Sequence, residues 1–148
     1  MSDVFGSMFR QWRANQTVSQ ADWLIGKEIM GPKVKAQGIT CLRDMADPGN
    51  KHCLAAQPFH FSKYTPGMDP HYSSGIPNFA FYKAAMAIGG KSWEKTGKIW
   101  YAAVTGGKSP NMKMSAFAKR TRDAAKSLYP GQAPIFKAVD DAWKAVGL

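Results

Sequence analysis

Apolar residues in the first fourteen positions fall at helical steps, with Val4, Phe5, Met8, Phe9 and Trp12 three and four apart. This spacing predicts an amphipathic helix from Asp3 to about Ala14. Ser2 is placed to cap it, and Asp3 sets a negative charge beside the positive end of its dipole. Asn15-Gln16-Thr17 breaks the pattern, and Trp23, Leu24, Ile25 and Ile29 predict a short helical or extended piece that Gly31-Pro32 stops. Between 31 and 72 glycine and proline recur too often for long elements, so one turn of helix at Leu42–Met45 is the only regular piece expected there.

Regular patterning returns at Ser73. Pro77 suits the first turn of a helix that buries Phe81, Ala84, Ala85 and Ile88 and ends at Gly89-Gly90. Ser92 resembles the cap of the next, whose inward positions are Trp93, Thr96, Ile99, Trp100, Ala103 and Val104, up to Gly106-Gly107. Ser115 or a neighbour opens a third, with Phe117, Ala118, Thr121, Ala124, Ala125 and Leu128 inward before Pro130-Gly131. Ile135, Phe136, Val139, Ala142, Trp143 and Val146 make a closing amphipathic helix. Four helices with short loops predict an antiparallel bundle. The fold class is therefore mainly α: one domain over 1–148, with a first helix and short piece in 1–30, irregular cleft loops in 31–72 and a four-helix bundle in 73–148.

Composition supports a folded chain. The 148 residues are 45% hydrophobic and include 5 Trp, 5 Tyr and 8 Phe, enough for one core. A formal charge of +10 attracts polyanions, but the basic residues are scattered, and no helix-turn-helix, zinc-finger or ribonucleoprotein signature accompanies them. Nucleic acid is not the expected partner; a solvated basic surface is. No stretch approaches the roughly 18 uninterrupted apolar residues of a membrane span, and no signal-peptide pattern opens the chain. As written it is expected in the cytoplasm, where the two thiols, Cys41 and Cys53, stay reduced.

Candidate chemistry gathers in the irregular stretch, which holds His52, His60 and His71 with Arg43, Asp44, Asp47 and Asp69. Their spacing lacks the close Cys or His pairs of a self-contained zinc site. The segment from Asp69 to Asn78 is more informative, because it ends a Pro/Gly-rich loop with a histidine just before a helix. An imidazole there, beside an arginine, can donate hydrogen bonds to the oxyanion formed when a carbonyl is attacked. A structural loop histidine fits the spacing equally well.

The same segment resembles the His-x-Asn-Ser-Gly-Ile-x-Asn-x-Ala-x-Tyr motif of the thermolysin family of zinc metallopeptidases, matched by His71, Ser73, Ser74, Gly75, Ile76, Asn78, Ala80 and Tyr82. Further matches follow in the family's order: residues 2–6, 21–26, 42–48, 97–101 and 142–147. The resemblance implies that His71 stabilises the tetrahedral intermediate and that Arg43 binds the substrate carbonyl. It implies that Leu42 and Ile25 line a pocket for bulky apolar side chains, and that Asp3 orients a zinc-binding histidine.

The family's His-Glu-x-x-His, and the glutamate that supplies its third zinc ligand, do not occur in this sequence. The expectation is a C-terminal substrate-binding, transition-state-stabilising lobe of a metalloendopeptidase, with its first helix cut just after the last ligand. It has no cofactor of its own and is inactive alone. Its expected partners are an N-terminal zinc-binding lobe, a peptide substrate, or a second copy through apolar surface left uncovered. The alternative is a non-catalytic degenerate lobe that holds a peptide or an acidic partner. Two departures bear on these readings. Where the family polarises its loop histidine with an aspartate five residues earlier, Pro66 stands here, leaving Asp69 as a substitute. Arg10 and Lys27 stand where calcium-binding members place carboxylates, so calcium is not expected.

Overall fold

The computed structural model describes residues 1–107, 109 and 111–148. Helix α1 spans Ser2–Arg13 and opens at Met1 without a side-chain cap, so Ser2 is helical rather than the expected cap. Its buried positions are Val4, Ser7, Met8 and Gln11. Phe9 and Trp12 lie outside, 60% and 58% exposed, and stack on each other at 5.9 Å. Two apolar stripes run side by side on this helix, and periodicity cannot tell which one meets the core. The buried stripe includes two polar residues because they satisfy each other: Gln11 donates to Ser7 (3.0 Å) and accepts from Ser92 (2.7 Å).

The short piece after α1 is strand β1, Leu24–Ile25, followed by a 3₁₀ turn at Lys27–Ile29. Strand β1 pairs antiparallel with β2, Arg43–Asp44, in the register Leu24↔Asp44 and Ile25↔Arg43. This corrects the helical turn expected at Leu42–Met45. Its backbone is satisfied across the ribbon instead, with Leu42 N–H donating to Ile25 O (2.8 Å) and Met45 N–H to Trp23 O (3.0 Å). The rest of the irregular region holds more local structure than its Gly/Pro content predicts. Helices α2 (Pro32–Ala36) and α3 (Pro70–Ser73) each begin on a proline, whose fixed φ suits a first turn, and a 3₁₀ turn covers Phe61–Lys63.

The four remaining helices are α4 (Gly75–Ile88), α5 (Lys95–Thr105), α6 (Met114–Leu128) and α7 (Ala133–Ala145). They pack in a closed ring, α4 on α5, α5 on α6, α6 on α7 and α7 on α4. Two caps depart from expectation. Ser92 does not cap α5, because its hydroxyl is spent on Gln11; α6 starts after Lys113 with no side-chain cap, leaving Ser115 inside it. Leu128, expected inward, is 44% exposed at the helix end. At the centre of the ring Trp100 and Trp143 stack at 6.1 Å, with Phe81 edge-on to one and Phe117 edge-on to the other. The Trp143 indole N–H donates to Thr121 Oγ1 (2.6 Å), which donates on to Ala118 O. No helix among the described residues is long and apolar enough to cross a membrane.

Candidate functional site

Three separate elements converge on one carboxylate. Asp3, in the first turn of α1, accepts from Arg43 of β2 through Nε (2.9 Å) and Nη2 (2.8 Å), and from Asn78 Nδ2 of α4 (2.7 Å). The Arg43 fork is bidentate, a geometry that fixes both side chains and not merely their distance. Their side chains are only 19% and 10% exposed, so solvent screens the pair weakly. Three of the roughly four acceptor positions on Asp3 are taken, and Arg43 Nη1 has no hydrogen-bond partner among the described residues.

His71 lies on α3, immediately after Pro70. The Asp69 carboxylate precedes the helix and accepts twice through Oδ1: from the His71 backbone N–H and from the ring Nδ1, both at 2.8 Å. The backbone contact, then the ring contact, hold the Asp69 carboxyl below its ordinary value. With Nδ1 donating to this carboxylate, Nε2 faces away from it, on a ring that is itself 78% exposed.

Behind His71 stands a residue that sequence reasoning missed. Gln57, almost fully buried, donates from Nε2 to the His71 carbonyl and to Ser74 Oγ (2.9 Å), tying loop 57–58 to the start of α4. Gly75 makes this approach possible, since a Cβ there would lie 2.5 Å from Pro58 O and 2.6 Å from Gln57 Cβ.

Asp3, Arg43 and His71 line one depression of about 250 Å³, with Met1, Pro70 and Ser74 around it. Leu42 and Ile25 do not line it. They are next to each other on the adjoining ribbon, where Ile25 opposes Arg43 and the Leu42 side chain lies across Gly26. Gly26 has φ +73, and a Cβ there would meet Leu42 Cγ and Cδ1 at 2.6 Å, so only glycine allows this packing.

The other two histidines are used locally. His52 Nδ1 bonds Gly38 O (3.1 Å), and His60 Nδ1 accepts from Ser62 N–H at the start of the 3₁₀ turn. Among the described residues no three His, Cys, Asp or Glu side chains group as a metal site. The donor set at the depression does not fit zinc by itself either, since it offers one imidazole and a carboxylate already committed to Arg43 and Asn78.

Arg10 and Lys27 meet the acidic residues near them. Arg10 reaches Glu28 (2.7 Å), Asp22 (3.3 Å) and Leu24 O, while Lys27 reaches Asp22 (3.2 Å). Burial raises the Asp22 pKa, but the Leu24 N–H, Arg10 and Lys27 together outweigh that and leave it lowered.

The model of a family described as "Thermolysin metallopeptidase, alpha-helical domain" matches residues 1–148. An extracellular metalloprotease of Pectobacterium carotovorum subsp. carotovorum is 40% identical over all of this chain and 44% of its own length. Protease PrtS of Photorhabdus sp. (strain Az29) is 35% identical over all of this chain and 42% of its length. Among solved structures, the precursor of Protealysin, a metalloproteinase from Serratia proteamaculans, superposes with a TM-score of 0.85 at 35% identity. That match covers 99% of this chain and 47% of the other. The chain thus spans less than half the length of these relatives.

Proposed function

The chain belongs to the thermolysin metallopeptidase family as its alpha-helical domain, and from that premise we propose that it is the substrate-binding, transition-state-stabilising lobe of a zinc metalloendopeptidase. The observation that carries this reading is the gathering of Asp3, Arg43 and His71 around one depression from elements far apart in sequence. Arg43, held by Asp3 through Nε and Nη2, presents Nη1 to a peptide carbonyl. His71, oriented by Asp69, presents Nε2 to the oxygen that becomes negative when that carbonyl is attacked; it donates there when the ring carries both protons. Asp69 takes the orienting role for which Pro66 has no side-chain acceptor. Leu42 and Ile25, beside Arg43, form the wall for an apolar substrate side chain. Asp3 keeps one acceptor position for an N–H from a neighbouring lobe, the role proposed for it toward a zinc-binding histidine.

The attacking water and the metal that activates it are supplied, in this reading, by groups outside these 148 residues. Arg10 and Lys27 already neutralise Asp22 and Glu28, which supports the reading that calcium is not needed to hold α1 against β1. The test is reconstitution: the chain is refolded with the N-terminal portion of the Pectobacterium relative and zinc, and endopeptidase turnover of an apolar peptide is followed. Activity is expected only in the mixture, and His71→Ala is expected to lower kcat by about a hundredfold. Equal turnover with and without the His71 imidazole would remove it from the mechanism. The second reading, a non-catalytic module for an acidic partner, draws on the net charge of +10. It predicts salt-sensitive binding of an acidic peptide by the chain alone and no gain of activity on mixing.

A further inference from the structure

Neither role above uses the two cysteines, and the fold brings them together. Cys41 and Cys53 face each other in an isolated parallel β-bridge. Thr40 N–H donating to His52 O (2.8 Å) and Leu54 N–H donating to Cys41 O (2.9 Å) hold the two segments on either side. Paired backbones lie about 4.8 Å apart, inside the roughly 4.4–6.8 Å Cα separation that a disulfide accepts. The two Sγ atoms are 2.8 Å apart, about 0.8 Å beyond the roughly 2.05 Å of an S–S bond. Both side chains are buried, so neither sulfur is within easy reach of a second protein molecule.

The loop between them is already shaped by its own contacts. Asp44 accepts from the backbone N–H groups of Ala46 and Asp47 and from Asn50 Nδ2. Cys41 directly precedes Leu42 and Arg43, so whatever fixes the bridge also fixes the residues next to the depression.

We propose that Cys41 and Cys53 form an intrachain disulfide when the chain folds in the presence of a disulfide oxidant, and that this bond fastens the loop 41–53 at the base of the Arg43 site. In the reaction the two S–H bonds are lost and one Sγ–Sγ bond forms. The two electrons and two protons pass to the oxidant, a small-molecule or protein disulfide whose own S–S bond is cleaved to two thiols. Burial, then the neighbouring Cys41 thiol and the Asp44 and Asp47 charges, push the Cys53 thiol above its ordinary range. Thiolate is the attacking form, so oxidation is fast while the chain refolds and slow once the bridge has closed over both sulfurs. The proposal does not depend on the peptidase reading.

The test is refolding from guanidinium in two buffers, one rich in oxidised glutathione and one containing dithiothreitol. In the oxidising buffer the expected product is a chain with no intermolecular disulfide, no titratable thiol and a mass lower by two hydrogen atoms. A tryptic peptide joining Cys41 to Cys53 should be present and should disappear on reduction. Closing a loop of this size predicts a Tm higher by roughly 10 °C than that of the reduced chain, whereas Cys41→Ser and Cys53→Ser should melt alike in both buffers. Two thiols still titratable after oxidative refolding, glutathione adducts in place of the link, or an oxidised chain that melts no higher than the reduced one would each overturn the proposal. If the serine variants do not fold, the comparison of the oxidised and reduced parent decides it.

Discussion

Arg43 is held by Asp3 through a bidentate fork, and its removal leaves a largely buried carboxylate with Asn78 as its only side-chain donor among the described residues. Arg43→Ala is therefore expected to cost about 3 kcal/mol in urea unfolding. Asn78→Ala removes one charge-assisted bond and should cost about 1.5 kcal/mol; the reverse order would mean that the fork does not hold the site. Asp69→Asn weakens the acceptor for the His71 ring, and nitrogen-15 NMR should then show the fixed Nδ1–H tautomer replaced by a mixture. The sequence names these residues but not the fork that joins Asp3 to Arg43 or its bond to Asn78. The histidine motif points to His71 and Asn78, and family order points to Asp3 and Arg43. Gln57 carries no such signal, because its partners are a main-chain carbonyl 14 positions away and a hydroxyl 17 away. No local pattern encodes a contact of that kind.

Among the elements, α6 and α7 are joined by a polar clamp. Asp140 accepts from Arg122 (2.8 Å) and pairs with Lys144 one turn on (2.7 Å). The Lys144 contact first, then that of Arg122, outweigh desolvation and hold the Asp140 carboxyl below its ordinary 3.8. A carboxyl with a lowered folded-state pKa contributes its stability above the unfolded value and loses it as the pH falls through the folded one. Asp140→Asn should therefore cost about 1 kcal/mol at pH 7, and its deficit against the parent should close in unfolding curves taken well below pH 3.8. The four long helices were readable from apolar spacing, and the bundle follows from their short connections. The β1–β2 ribbon was not, since Leu-Arg-Asp-Met is acceptable in a helix. It becomes extended only because β1 offers partners for its backbone.

In the whole molecule, the ring of helices closes on the Trp100–Trp143 stack, and Trp143→Ala should cost about 4 kcal/mol, enough to read directly in the thermal midpoint. Outside the ring the stacked Phe9 and Trp12 remain in solvent. If a second copy covers them, light scattering should show mass rising with concentration, and Trp12→Ser should flatten that rise. The spacing put these two rings on one helical face with Val4 and Met8; the fold turns them away from the core and into solvent.

Asp3 meets a guanidinium 40 residues away and an amide 75 residues away, so it behaves as a keystone. A ligand that draws Arg43 toward itself slackens the strand's hold on the opening of α1. Deuterium uptake by the first amides of that helix would then report occupancy of the depression that its opening residues share with Arg43 and His71.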